Sequence, residues 1–120
     1  MNQSQSETQL AQLLHRLTGL GVFLFLAIHL LHIWLVALGP EPFNTITAVF
    51  RHPVARLLHL VLFFCVLFHA LNGTRVTLLD FFPGLSRYQR HSIYVTAGLL
   101  ALIFIPSALV ILMDTFLPGL

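Results

Sequence analysis

The chain has 120 residues, of which 58% are hydrophobic and only 8% charged, with a mean hydropathy of +0.90. A soluble domain of this length carries about a quarter charged residues, so the composition excludes one and implies an integral membrane protein. The formal charge of +2 comes from arginines dispersed along the chain, with no lysine, which excludes a nucleic-acid-binding surface and fits basic residues at helix ends.

In a bilayer every backbone polar group must be satisfied internally, and long apolar runs without strict alternation choose helix over barrel. The expected fold is therefore all-α and membrane-integral, one domain over 1–120 with three transmembrane helices at about 9–38, 53–79 and 89–116. The stretch from Met1 to Thr8 is polar and carries no Lys or Arg. It lacks the positive region of a secretory signal, so the first apolar segment is expected to be a mature helix. Its apolar part, Leu17 to Leu38, spans ~33 Å at 1.5 Å per residue, enough to cross the hydrocarbon core.

Gly39-Pro40-Glu41-Pro42 stops that helix, since proline cannot continue it. Phe43 to Phe50 reads as a moderately apolar loop able to form a short interfacial helix. Pro53 suits the first turn of the second helix, and Asp80 to Arg90 reads as a loop. Pro106 inside the third helix predicts a kink. Arg16, Arg75, Arg87 and Arg90 fall on one side, Arg51 and Arg56 on the other, which favours a cytoplasmic N-terminus in the cell inner membrane. Cys65 has no second cysteine to pair with and reads as a small core or lipid-facing residue.

The chemistry is concentrated in histidines. Seven occur in the chain. His52 and His91 sit at helix ends as interfacial anchors, and His59 reads as bonded to a neighbour. His29, His32 and His69 lie within apolar runs, where an imidazole must be neutral and partnered or bound to something. Around His69 the sequence reads His69-Ala70-Leu71-Asn72-Gly73-Thr74-Arg75, closing on Asp80. Gly73, one turn on, leaves room for a bulky flat group beside the imidazole, and Arg75 lies ~9 Å along the axis, in reach of acidic groups on such a ligand. Imidazole, cleared space and a nearby cation point to a haem ligated by His69. His29 lies ~20 Å along its helix from Arg16, toward the outer side, whereas His69 lies nearer the inner side. Two histidines at different depths suit two stacked haems. His29 and His32 remain alternatives for the outer one.

Two blocks resemble the larger of the cytochrome b membrane-anchor subunits of succinate dehydrogenase. His15-Arg16-Leu17-Thr18-Gly19 is similar to that family's H-R-x-[ST]-G, and His69 to Asp80 is similar to its H-x-x-x-G-x-R-x-x-x-x-D. The likeness spans Leu10 to about Leu117. It implies that His69 is an axial ligand of haem b, with the other ligand supplied by a second membrane-anchor subunit. It implies that His15 and Arg16 lie by the haem propionates and the quinone site. Gln12 stands where well-known members have a quinone-contacting serine, and it keeps a hydrogen-bond donor there. His29 departs from single-haem relatives and matches dihaem ones. The implied partners are iron–sulfur and flavoprotein subunits, quinone and membrane lipid, with no catalysis by this chain alone.

Two other classes remain open from the residues. One is a haem-free structural anchor of a respiratory enzyme. The other is a transporter subunit with a histidine proton relay, which would call for acidic residues within the spans; here they lie at helix ends.

Overall fold

The computed structural model describes residues 3–120, with side chains from residue 5 onward; Met1 and Asn2, part of the polar N-terminal stretch, lie outside them. The described chain forms four α-helices, α1 (Gln3–Trp34), α2 (Pro40–Phe50), α3 (Pro53–Phe81) and α4 (Gln89–Phe116), and no strand. Short 3-10 turns, Leu35–Leu38 and Pro83–Tyr88, connect α1 to α2 and α3 to α4. Three segments, Gln5–Leu38, Pro53–Phe81 and Pro83–Phe116, are long and apolar enough to cross a membrane. The long axis of the molecule is 55 Å, beyond the ~30 Å of a hydrocarbon core.

Helix α1 begins at Gln3, about two turns before the expected start at Gln9. Gln and Glu are good helix formers, but hydropathy does not detect a polar first turn. The Phe43–Phe50 stretch is helical throughout. It opens with Pro40 in the first turn, after Gly39 at φ 111°, a backbone conformation that favours glycine. His52 caps α3: its Nδ1 accepts the Val54 N–H at 3.2 Å. Helix α4 continues on both sides of Pro106.

Helix α3 packs along both α1 and α4, which barely meet each other. On the α4 side the seam is aromatic, with Phe104 stacked on Phe63 and edge-on to Phe64. Arg56 of α3 pairs with Asp114 of α4 at the far end. On the α1 side the helices approach so closely that a Cβ on Gly21 would stand 2.7 Å from Cys65 Sγ. Among the described residues the buried apolar set is only Ala11 and Leu62, while Thr18, Asn72 and Arg75 are buried polar residues. Large side chains such as Leu20 and Leu102 point outward. That distribution suits a chain solvated by lipid, where apolar surface gains nothing by turning inward.

Candidate functional site

The site is built where α1 and α3 cross. The helices run antiparallel, so the pairs His15–Gly73, Gly19–His69 and Gly21–Cys65 follow one another along the seam. The rings of His15 and His69 stack with centroids 4.1 Å apart and planes 11° from parallel. Each ring lies over the partner helix's glycine: a Cβ on Gly19 would stand 3.2 Å from His69 Cε1, and one on Gly73 would stand 3.4 Å from His15 Cε1. A histidine followed four residues later by glycine thus occurs on both helices, and each glycine makes room for the other helix's ring.

His69 Nδ1 lies 3.2 Å from the His15 carbonyl oxygen. A carbonyl can only accept, so Nδ1 carries the proton, and Nε2 is the ring nitrogen left for another partner. The same carbonyl accepts from Thr18 Oγ1 at 3.1 Å, and that hydroxyl also donates to the Leu14 carbonyl at 2.7 Å. His15 Nδ1 is buried and has no hydrogen-bond partner. Arg75 is 7% exposed and donates from Nε to Asn72 Oδ1 at 3.0 Å. Six residues along a helix turn about 120° in net rotation, so Arg75 sits on a different face of α3 from His69, toward α4.

The family model for the succinate dehydrogenase/fumarate reductase transmembrane subunit matches residues 4–113. The chain belongs to that family. The succinate dehydrogenase 2 membrane subunit SdhC of Mycobacterium tuberculosis is 35% identical over 97 residues, covering 81% of this chain and 71% of that protein.

Within this family member, the structure brings some of the expected site residues together and separates others. His15 and His69 share one contact. Arg16 is exposed and makes no ion pair among the described residues. Gln12 is exposed too, on a polar groove of 500 Å³ that it shares with Gln9, Gln89 and Arg90. His29 is exposed and stacks on Phe25, with centroids 5.6 Å apart. His32, by contrast, is tied to α2. Thr47 Oγ1 donates to the Phe43 carbonyl, so His32 Nε2–H donates to Thr47 at 2.9 Å, and the ring also stacks on Phe43. His59 Nδ1–H donates to the Ala55 carbonyl of its own helix at 2.8 Å.

Sequence reasoning misses Thr18 and Asn72, although both are polar residues in apolar runs beside a histidine, a signal that could mark them. The Gly21–Cys65 approach leaves no local signal, because it depends on two helices far apart in the chain.

Proposed function

We propose that this chain is the haem b-binding anchor of a succinate:quinone oxidoreductase, through which electrons pass from an iron–sulfur subunit to membrane quinone. The observation that carries this reading is the His69 hydrogen bond. Metal-ligating histidines commonly donate their second ring N–H to a backbone carbonyl, which orients the ring and raises its basicity. His69 has that bond, and its Nε2 is left for another partner. The donor set therefore fits haem iron, which His69 would hold through Nε2, with a second anchor subunit supplying the further protein ligand that this chain does not. Bound haem supplies reversible one-electron storage at a potential set by its ligands and surroundings.

The other residues have roles of their own. His15 covers one face of the His69 ring, and its buried Nδ1 is left for a polar group of a ligand. Arg16, the next residue, offers a fixed positive charge to a quinone oxygen as that oxygen gains negative charge, and Gln12 offers an amide donor. The two protons that quinone takes up come through water or partner subunits. His29, exposed and without a hydrogen bond among the described residues, is a better outer haem ligand than His32, which is committed to Thr47. The dihaem reading, the cytoplasmic N-terminus, the inner-membrane location and the flavoprotein partner belong to the same proposal.

A haem-free anchor is the second reading. The observation favouring it is that the His15–His69 stack already joins α1 to α3 without any ligand. Reduced-minus-oxidised spectra of the purified complex, with pyridine haemochrome quantitation, decide between them. A b-type band that disappears in His69→Ala while the subunits stay assembled is the expected result. No b-type band in the unaltered complex would leave the haem-free anchor.

A further inference from the structure

Among the described residues, three buried side-chain atoms have no hydrogen-bond partner: Glu7 Oε2, His15 Nδ1 and Arg75 Nη1. Glu7 and Arg75 line the same half-open cavity, 160 Å³ in volume, between α1, α3 and α4. They carry opposite charges, yet they form no direct ion pair. Glu7 has two further partners on α4: Tyr94 O–H donates to Oε1 at 3.1 Å, and Arg90 Nε stands 3.7 Å from Oε2. Asn72 and Thr96 also border the cavity, whose surface is otherwise mostly apolar, from residues such as Leu14, Phe68 and Leu100. Thr96 spends its hydroxyl proton on the Ser92 carbonyl at 2.8 Å, which leaves oxygen lone pairs free to accept.

We propose that this cavity is an internal water site, in which ordered water bridges Glu7 Oε2 to Arg75 Nη1 and so gives the buried arginine its counter-charge. A guanidinium taken out of water is tolerable only when it is neutralised and its donors are used. Arg75 uses one donor on Asn72, and a carboxylate of the right sign lines the same space, which has room for ordered water between the two charged groups. The bridge has partners on all three spanning helices. It adds α3 to the direct contacts that Tyr94 and Arg90 of α4 make with Glu7 of α1. It also commits Arg75 to the interior of this chain, on a face of α3 turned away from His69. Arg75 is then a structural cation rather than a partner for haem propionates.

The test uses the assembled complex. High-resolution electron cryomicroscopy should show water density between Glu7 and Arg75. In thermal melts, Glu7→Gln and Arg75→Gln should each lower the melting temperature by on the order of 3 °C. The double variant should be no worse than Arg75→Gln alone, while Arg56→Gln, whose partner Asp114 lies at the far end of the bundle, should add independently to Arg75→Gln. A dry cavity, or additive effects of the Glu7 and Arg75 changes, would overturn the proposal. One further arm rests on the haem reading: in a haem-containing complex, Arg75→Gln should retain the full haem content. Loss of haem with Arg75→Gln but not with Glu7→Gln, in a complex that stays assembled, would assign Arg75 to a propionate and defeat the water bridge. Density and melts decide the proposal even where no haem is found.

Discussion

His15 and His69 hold each other reciprocally, with rings stacked at 4.1 Å and each ring seated over the glycine that follows the other by one helical turn. The bond to His69 comes from the His15 backbone, so it survives any substitution of the His15 side chain. His15→Phe should keep the stack, the assembled complex and its haem, yet lower quinone reduction, because the ring nitrogens are gone. His15→Ala should in addition lose about 0.5–1.5 kcal/mol of stacking, read by thermal denaturation. Unchanged quinone reduction in His15→Phe would limit His15 to packing.

The two glycines differ in tightness. A methyl on Gly19 meets His69 Cε1 at 3.2 Å and forces the ring to move, whereas one on Gly73 meets His15 Cε1 at 3.4 Å, an ordinary contact. Gly19→Ala should therefore perturb the ligand field of a His69-ligated haem more than Gly73→Ala does, read as a shift of the low-spin ferric signal in electron paramagnetic resonance. Equal shifts would argue against this seating of His69.

At the tightest point of the same seam, Gly21→Ala would place its methyl 2.7 Å from Cys65 Sγ and 2.8 Å from Cys65 Cβ. Overpacking of this kind costs about 1–3 kcal/mol. Because the Cβ clashes as well as the sulfur, Cys65→Gly should rescue Gly21→Ala and Cys65→Ala should rescue it only in part. Thermal melts of Gly21→Ala alone and in each double variant check the order.

His29 and His32 are three residues apart but differ in partners. His29→Ala should remove one of two haems from the pyridine haemochrome count while leaving α2 as protease-resistant as before. His32→Ala should spare the haem count and loosen α2, since it deletes the Thr47 bond, worth about 1 kcal/mol, and the stack on Phe43. Faster proteolysis within residues 40–52 reads out the loosening. A single haem lost only with His69 would exclude His29 as a ligand.

The spans were legible in the sequence because hydropathy and proline punctuation are properties of a local window. Leu17 to Leu38 and the Gly39-Pro40 stop announce one helix whatever surrounds them. His69 was legible for a related reason: an imidazole in an apolar run needs a partner or a ligand. The same logic did not reach the polar first turns of α1, and it left Phe43 to Phe50 between a loop and a short interfacial helix, because apolar content there is low or mixed.

Which partner each histidine has was settled only by tertiary structure. The His69 Nδ1 bond joins residues 54 apart in sequence, and it requires α1 and α3 to cross at one register, set by Gly21 against Cys65. His32 is distinguished from His29 by the return of α2 against α1, which no window around residue 30 contains. Arg75 read from the sequence as a cation in reach of acidic groups on a ligand beside His69; its rotation about α3 places it inward beside Asn72. The sequence alone determined that this chain spans a membrane and carries imidazoles inside it. The packing of three helices decided which imidazole is held by a carbonyl, which by a hydroxyl and which is left exposed, because side-chain partners depend on helix rotation and register, and periodicity within one helix specifies neither.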